Sequence, residues 1–362
     1  MTILAIIVIV FTIIQLLVSL TNLLYKRTLP ASPETYGELI SVLIPARNEI
    51  KNIGNLLIDL VSQDHRNIEV IVFDDQSEDN TAAIVKQLAM SDKRIKLISS
   101  EGLPHGWHGK NHACNALSEH ARGEYFMFID ADVRIGDRLL DNAVRFSQKH
   151  GVSLISIFPK QIIKSIGEMM TVPNMNYILV SLLPLVLVRK SDFPSLSAAN
   201  GQFMFFRASE YRKHKPHRVM KAQKAEDIAI ARYYKKNGYK IACLLGDNKI
   251  TCRMYSGFHD AVNGFSKNVI AFFGNSFLLA ILFWAITTFG ILPVYISFPE
   301  LTIFYITAYI FTRVFVSAAS RQNLIFNLLF ILPLQVSMGL FIYKAFINKH
   351  FRKFQWKGRY ID

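Results

Sequence analysis

Two carboxylates, one residue apart, follow an apolar run that reads as a buried strand. Asp130 and Asp132 come directly after residues 124–129, and in extended backbone side chains two positions apart point the same way. A hard divalent cation such as Mn2+ or Mg2+ takes one or two carboxylates together with phosphates and water. Such a cation neutralises the charge that develops on a diphosphate leaving group. The pair therefore predicts metal-assisted phosphate chemistry, with a solvated acidic turn as the structural alternative.

Three further acidic residues lie where a structural and a chemical role are both open. Asp75 follows the run 68–73 and is either a turn or helix-capping residue or an acceptor for the base or ribose hydrogens of a nucleotide. Glu226 and Asp227 precede a helical pattern, and acids are favoured in the first turn of a helix. The same position suits a general base that deprotonates an acceptor.

A lysine opens the predicted helix 110–122. Lys110 follows Gly109 and a glycine-containing loop, and a cation at a helix N-terminus opposes the helix dipole. A nearby anion such as a phosphate would remove that conflict. The alternative is a lysine exposed to solvent.

The elements that must position these residues alternate between strand and helix. Strands are expected at 39–46, 68–73, 95–98 and 124–129, and helices at 49–63, 80–90 and 110–122. This alternation implies a parallel sheet, in which ligands bind at the carboxyl ends of the strands. Arg47 and Glu49 follow the first strand, so they are expected at the same edge as Asp75 and Asp130.

Apolar residues are concentrated at the two ends of this 362-residue chain, of which 51% is hydrophobic and 19% charged. Residues 3–24 are uncharged and long enough to cross a bilayer, and they lack the basic start and cleavage site of a signal peptide. Lys26 and Arg27 follow directly. The positive-inside rule therefore predicts a multi-pass protein of the cell membrane with its central domain in the cytoplasm.

The C-terminal part contains three apolar runs, at 271–297, 301–318 and 323–346, followed by a basic tail. Three crossings would leave that tail outside, against the positive-inside rule. We therefore expect one run to be re-entrant, interfacial or a helix pair. The apolar stretch 172–188 is either a buried core segment or an interfacial element near a lipid acceptor.

The expected organisation has four parts: an N-terminal anchor at 1–27, an α/β domain at 28–268, a transmembrane region at 269–347 and a basic cytoplasmic tail at 348–362.

The net charge of +14 indicates an anionic membrane surface and phosphate-bearing substrates as partners. Nucleic acid is not expected, because the basic residues are not interleaved with aromatic ones. The basic stretch 207–224 is either a solvated face or a contact with headgroups. Cys114, Cys243 and Cys252 are widely spaced, which predicts buried, reduced thiols.

The ordered motifs resemble glycosyltransferase family 2, whose catalytic domain has the Rossmann-like GT-A fold. They are SVLIPARNE (41–49), VIVFDDQSEDNT (70–81), GWHGKNHACNAL (106–117), YFMFIDADV (125–133), ANGQFMFF (199–206) and EDIAIARYYKKNGYK (226–240). Within the family, WHGKNHAC, RMYSGF (253–258) and FQWKGRYI (354–361) are similar to bacterial membrane enzymes that glycosylate carotenoids.

The resemblance implies an inverting, UDP-sugar-dependent hexosyltransferase with a mainly parallel sheet and transmembrane helices at both ends. It implies that Asp227 is the catalytic base beside Glu226, and that Asp132 and Asp130 hold Mn2+ or Mg2+. It also implies a nucleotide-sugar and acceptor site made of Pro45, Arg47, Glu49, Asp75, Lys110, Asp130, Asn200, Gly201, Gln202, Trp356, Lys357 and Arg359.

Two departures bear on the acceptor. Lys215-Pro216-His217 stands where related enzymes often have Gly-Gly-His, which alters a loop near the acceptor. Residues 263–268 read NGFSKN in place of the motif of processive synthases, which favours a single transfer. The expected reaction moves one sugar, glucose from UDP-glucose, to a carotenoid carboxyl or hydroxyl group. The alternatives are another membrane lipid (diacylglycerol, a ceramide-like lipid, a hopanoid or polyprenyl phosphate) and a non-catalytic membrane scaffold.

Overall fold

The computed structural model describes residues 1–25, 28–351, 355–356 and 359–360. They divide into two compact units. One comprises residues 28–160 and 187–252 and is called the sheet unit here; the other comprises residues 1–27, 161–186 and 253–362 and is called the helical unit.

The strands are β1 (Ile40–Ala46), β2 (Ile68–Asp74), β3 (Ile95–Ser99), β4 (Tyr125–Ile129), β5 (Val133–Ile135), β6 (Leu154–Phe158), β7 (Lys160–Gln161), β8 (Phe203–Arg207), β9 (Ile241–Leu245), β10 (Ile250–Cys252), β11 (Gln355–Trp356) and β12 (Arg359–Tyr360). The helices are α1 (Thr2–Leu24), α2 (Ile53–Val61), α3 (Thr81–Ser91), α4 (Gly109–His120), α5 (Leu139–His150), α6 (Ile166–Met169), α7 (Pro173–Leu182), α8 (Leu185–Lys190), α9 (Ala208–His214), α10 (Pro216–Val219), α11 (Glu226–Lys236), α12 (Phe258–Asn268), α13 (Phe277–Phe289), α14 (Ile291–Ser297), α15 (Thr302–Ala319), α16 (Leu324–Leu329) and α17 (Ile331–His350). Short 3-10 helices lie at Val269–Phe273 and Pro299–Leu301.

The sheet unit is built on seven strands in the order β3-β2-β1-β4-β8-β6-β9. The pairs β1–β2, β1–β4, β2–β3 and β6–β9 are parallel, whereas β8 runs antiparallel to both of its neighbours. Strands β4, β6 and β9 are buried along their whole length, as their continuous apolar runs predict. The predicted α/β architecture with a mainly parallel sheet is therefore confirmed.

The register of the sheet brings distant segments to one edge. Ala46 pairs with Asp74, so the residues after β1 and β2 emerge side by side. Ile129, the last residue of β4, pairs with Phe203, the first residue of the antiparallel β8. The segment before β8 therefore joins the segments that follow three parallel strands.

The sheet unit differs from the continuous range 28–268 expected for the α/β domain. Residues 161–186 and 253–268 belong to the helical unit instead. Helix α7 belongs to the helical unit because its buried polar side chains bond other helices of that unit. Asn174 Nδ2 donates to Leu334 O of α17 at 2.9 Å, and Gln15 Nε2 of α1 donates to Ser181 Oγ at 2.9 Å. Of the two interpretations of 172–188, the structure favours the buried segment for α7, and the stretch breaks at Leu183–Pro184 before α8.

Three helical segments of the described chain are long and apolar enough to cross a membrane: 2–24, 299–319 and 331–350. The apolar run predicted at 271–297 is not one continuous helix, because Gly290 separates α13 from α14. Residues 258–273 are bent by 101° from α13. The run thus consists of two helices, and the expectation that one run is re-entrant, interfacial or a helix pair stays a prediction.

The directions of helices α1, α13, α14 and α17 show at which end of the helical bundle α1 and α17 end. Phe283 of α13 packs on Phe11, and Val294 of α14 packs farther back along α1 on Ala5 and Val8, so α13 and α14 run antiparallel to α1. Helix α17 runs antiparallel to α13, since the Trp284 indole donates to Gln335 O at 2.9 Å while Phe346 packs on Phe277. Helices α1 and α17 therefore point the same way, and the C-terminal end of α17 lies at the end of the bundle where α1 also ends.

Candidate functional site

The segments after β1, β2 and β4 and the segment before β8 meet at the carboxyl edge of the sheet. Asp75 N donates to Ala46 O at 2.8 Å, and Asp130 N donates to Gln202 O at 3.1 Å. The edge thus carries polar residues from four stretches of sequence that the fold brings together. It is the edge where a parallel sheet binds its ligands.

Lys110 lies at the centre of this edge. Its ammonium is 2.7 Å from Asp130 Oδ1, donates to Gly201 O at 3.1 Å and lies 3.8 Å from Glu226 Oε1. These contacts, Asp130 first, raise the Lys110 pKa against the opposing effect of burial. The anion expected near this helix N-terminus is therefore supplied in part by the carboxylates of the protein.

Glu226 and Asp227 begin α11. The structure is consistent with both roles left open by the sequence, a first-turn acid and a general base. Asp227 Oδ1 accepts from Ile228 N at 2.8 Å, a first-turn interaction, and its Oδ2 accepts from Gly201 N at 2.9 Å. Burial raises the Asp227 pKa, against these bonds and the Lys110 charge. Burial and the neighbouring Asp227 raise the pKa of Glu226 to about 7. Carboxylates with raised pKa values are suited to accept a proton near neutral pH.

Asp132 presents a carboxylate oxygen that lacks a partner. Its Oδ1 is buried and has no hydrogen-bond partner among the described residues. Burial, with the charges of Asp130 and Glu49, raises the pKa of Asp132 to about 7, against a hydrogen bond from Cys252. The Cys252 sulfur in turn accepts from Gln202 Nε2 at 3.0 Å. A buried oxygen held in place without a donor suits a cation better than a solvated turn.

The charges at this edge do not balance. Lys110 is set against the carboxylates of Asp130, Asp132, Glu226 and Asp227. No group of three or more His, Cys, Asp or Glu side chains in the described part of the chain has the geometry of a complete metal site. Mg2+-type sites use one or two carboxylates and take the remaining ligands from substrate phosphates and water. The excess negative charge and the unpartnered Asp132 oxygen fit a divalent cation of that kind.

The residues after β1 and β2 form a second part of the edge. Arg47 Nη1 donates to Asp75 O at 2.6 Å and to Gln76 O at 3.1 Å, so its guanidinium fixes the turn after β2. Asp75 is 1% exposed, whereas Pro45 and Glu49 are half-buried. The helix-capping alternative for Asp75 is not what the structure shows, because Asp79 Oδ1 accepts from Thr81 N at 3.0 Å.

For the C-terminal tail, the structure describes only the backbone of two short strands. Gln355–Trp356 pairs antiparallel with Arg359–Tyr360, and Lys357 lies outside the described residues. The expected contact of Trp356, Lys357 and Arg359 with a diphosphate therefore stays a prediction.

Sequence reasoning missed several residues at this edge. Cys252 was expected only as a buried thiol, which it is, but it also contacts Asp132. Asn111 is fully buried and binds the loop before α11. His217 is buried against Tyr211, whose hydroxyl lies 2.6 Å from its Nδ1, and burial with the Lys110 charge lowers its pKa to about 3. The position of Asn111 beside Lys110 was the one available signal.

The basic stretch 207–224 is divided by burial. Most of its cations, among them Lys213, Arg218 and Lys221, are exposed, whereas His217 faces the core. Exposure is compatible with both the solvated and the headgroup-contacting interpretation.

Comparison with known proteins identifies the family. Residues 41–215, which include β2, β4, β8 and all but the first residue of β1, match the family described as Glycosyl transferase family 2. Residues 41–215 thus form a glycosyltransferase family 2 domain. The carboxyl edge described above is therefore the candidate active site of this domain.

Two curated relatives are both called 4,4'-diaponeurosporenoate glycosyltransferase. The protein from Staphylococcus haemolyticus (strain JCSC1435) is 25% identical over 240 residues, 64% of this chain, and this chain spans 60% of that relative's length. The protein from Staphylococcus aureus (strain MRSA252) is 26% identical over 346 residues, 88% of this chain and 87% of the relative. These distant relatives agree with the resemblance to carotenoid glycosyltransferases.

A solved structure shows the same fold. A mannosyltransferase from Pyrobaculum calidifontis, in complex with GDP-Man and Mn2+, aligns with a TM-score of 0.55 and 18% identity. The alignment covers 97% of this chain and 99% of the mannosyltransferase. The chain thus has a GT-A-like fold together with apolar helices at both ends that are long enough to span a membrane.

Proposed function

We propose that this glycosyltransferase moves one hexose, with inversion, from a nucleotide sugar to a membrane-soluble apolar acceptor. The donor is UDP-glucose, and the acceptor is a carotenoid that carries a carboxyl or hydroxyl group. The observation that carries the proposal is the buried, unpartnered oxygen of Asp132 within a group of carboxylates that exceeds its cations. Such a group is suited to bind a cation together with a diphosphate.

The metal proposed here is Mn2+ or Mg2+, held by Asp132 and Asp130, and when bound it would supply positive charge to the leaving diphosphate. The protein's own groups have separate tasks. Lys110, fixed by Asp130 and Gly201, contributes a cation beside the phosphates. Asp75, Arg47, Glu49 and Pro45 border the nucleotide side of the edge, and Gly201 and Gln202 border the sugar side.

Asp227 is the proposed base. The acceptor oxygen attacks the anomeric carbon of the donor, a new carbon–oxygen bond forms, and the bond from that carbon to the diphosphate oxygen breaks. The nucleoside diphosphate leaves with the electron pair, and Asp227 takes the proton when the acceptor is a hydroxyl group. Its bond from Gly201 N holds one carboxylate oxygen in position, and its raised pKa favours proton uptake.

The membrane helices support an apolar acceptor. Three candidate spans belong to the helical unit, and the end of α17 lies at the same end of the bundle as the end of α1. Lys26 and Arg27 follow α1, so we propose that this end faces the cytoplasm. The sheet unit and the basic tail would then share the cytoplasmic side with the nucleotide sugar. The names of the two curated relatives favour a carotenoid over other lipids.

The test is transfer to extracted lipid. Membranes that contain the full chain are incubated with Mn2+ and labelled UDP-glucose, and parallel samples receive UDP-galactose, UDP-N-acetylglucosamine or GDP-mannose. Carotenoid-free membranes, with and without added carotenoid acid, distinguish the acceptor by mass analysis. Labelled carotenoid glucoside supports the proposal, while label in diacylglycerol, hopanoid, ceramide-like lipid or polyprenyl phosphate supports the alternative acceptors. Absence of transfer from every donor would favour the scaffold.

The acceptor group itself can be tested through Asp227. A carboxylic acid is already ionised at neutral pH and needs little base catalysis. Asp227→Asn should therefore cost much less with a carotenoid acid than with a hydroxylated carotenoid, for which base catalysis contributes about 10²–10⁴-fold. A several-thousandfold loss with the acid would contradict this role.

A further inference from the structure

We propose that Asn111 is a positioning residue that fixes the loop carrying Glu226 and Asp227 against the helix carrying Lys110. The inference rests on the proposed function, because it assigns Asn111 to the same reaction. Asn111 is fully buried, on the first turn of α4 and directly after Lys110. It touches none of the carboxylates described above by any hydrogen bond of its side chain.

The Asn111 side chain gathers three carbonyl groups of one loop. Its Nδ2 donates to the oxygens of Met220, Lys221 and Gln223 at 2.8, 3.2 and 3.1 Å. The amide group has two hydrogens, so at least one of them is shared between two carbonyls. Binding three carbonyls with one buried amide fixes the path of the loop more tightly than any single bond would.

A second bond ties the same loop to the same helix. His108, the residue before α4, donates from its backbone N to Lys221 O at 2.8 Å. Residues 221–224 of the loop are all exposed. The start of α4 therefore holds an exposed loop through hydrogen bonds from both His108 and Asn111.

The loop leads directly into the acidic pair. Gln223 is three residues before Glu226, and α11 begins at Glu226. Glu226 Oε1 lies 3.8 Å from Lys110 Nζ, and Asp227 Oδ2 accepts from Gly201 N at 2.9 Å. Asn111 thus joins the two chain segments that approach each other at Lys110 and Glu226. Loss of its bonds would let the base shift without removing any group that contacts the nucleotide.

If Asn111 only stabilised helix α4, removal of another buried amide from the same helix should have the same effect. The same helix offers a matched control in Asn115, which is 9% exposed and whose Nδ2 donates to Glu119 Oε1 at 3.1 Å within α4. Asn115→Ala removes a largely buried amide from α4 but leaves the loop attached. The contrast between the two positions separates attachment of the loop from the general stability of the helix.

The experiment compares Asn111→Ala, Asn111→Asp and Asn115→Ala in the full chain in lipid nanodiscs. The aspartate keeps the shape of the side chain and, when ionised, cannot donate to the carbonyls, so it serves if the alanine variant does not fold. Misplacing a catalytic group by 1 Å costs on the order of 10²-fold. We expect kcat to fall roughly tenfold to 10²-fold in both Asn111 variants, with the donor KM changed less than about threefold.

Hydrogen exchange provides the readout that does not depend on transfer. Amides of residues 221–228 should exchange faster in the Asn111 variants and be unchanged in Asn115→Ala. Unchanged exchange, unchanged kcat, an increase confined to KM, or an equal loss in Asn115→Ala would overturn the proposal. If the wild-type chain transfers no sugar from any donor, the proposed function fails, and the exchange comparison alone decides whether Asn111 holds the loop.

Discussion

A methyl group at Gly201 would test the geometry of the site with one added atom. The Cβ of an alanine there would lie 2.9 Å from Lys110 Nζ, 3.2 Å from Glu226 Oε1 and 3.7 Å from Asp227 Oδ2. Ordinary contact begins at 3.4 Å, so the Lys110 ammonium must move by about 0.5 Å and the Glu226 carboxylate by about 0.2 Å. Gly201→Ala therefore displaces the central cation without removing any polar group.

The size of the effect follows from that displacement. If a shift of 1 Å costs about 10²-fold in rate, a shift of about half that size costs about tenfold. Stability should change by less than about 1 kcal/mol, because Lys110 Nζ is the end of a flexible side chain and because alanine lowers the entropy of the unfolded chain. The backbone allows the change, since Gly201 is not among the residues with positive φ.

The assay measures kcat for sugar transfer and the thermal unfolding temperature of the same preparation. Gly54→Ala in α2 is the matched control: its Cβ meets Ile84 Cγ2 at an ordinary 3.4 Å and contacts neither Lys110 nor the carboxylates around it. That variant should gain up to about 1 kcal/mol of stability and keep its activity. If Gly201→Ala retained full activity, or lost it only in proportion to unfolding, the arrangement around Lys110 would not matter as we argue.

Three further predictions concern charge and topology. Asp132→Asn should weaken Mn2+ binding in the presence of nucleotide at least tenfold, which calorimetry can measure; equal affinity would remove Asp132 from the metal site. Glu226 has a pKa raised from 4.5 to about 7 in the folded protein, so its contribution to stability is greatest at acidic pH and is lost as pH rises toward 7. At about 1.36 kcal/mol per unit the loss is roughly 3 kcal/mol, and Glu226→Gln should abolish that part of the pH dependence of unfolding. Cysteines placed at Lys51 in the sheet unit and at His350, the last residue of α17, should react with an impermeant thiol reagent from the same side of sealed vesicles; labelling from opposite sides would contradict the direction of α17.

Local pattern was enough to predict four of the seven strands of the main sheet and the polar residues that follow three of them. Each predicted strand end lies within one residue of its position in the structure, because short apolar runs followed by polar residues have few alternatives. The placement of Asp75, Asp130 and Arg47 at one edge followed from parallel pairing alone. The antiparallel β8 could not be inferred from alternation, yet its reversed direction is what brings Gly201 to Lys110.

The membrane part shows why counting apolar runs is insufficient. The run at 271–297 has the length of one span but is divided at Gly290, where an added Cβ would lie 2.7 Å from the Tyr305 hydroxyl of α15. Where helices pack this closely, a residue without a side chain fits best, and a hydropathy profile does not detect that requirement. The direction of α17 depends on contacts such as Trp284 with Gln335, which are remote in sequence.

Contacts between residues remote in sequence also limited the prediction of the candidate site. Lys110 was recognised by its conflict with the helix dipole, a local signal, but its partners lie 20, 91 and 116 residues away along the chain, at Asp130, Gly201 and Glu226. A single sequence marks which residues are poorly placed for stability and cannot tell what compensates them. Here the compensation is partial, because Asp132 still has a buried oxygen without a donor. The residual imbalance is therefore the strongest physical reason to expect a cation and a diphosphate at this edge, and under the proposed function their binding, rather than folding, would complete the charge balance of the site.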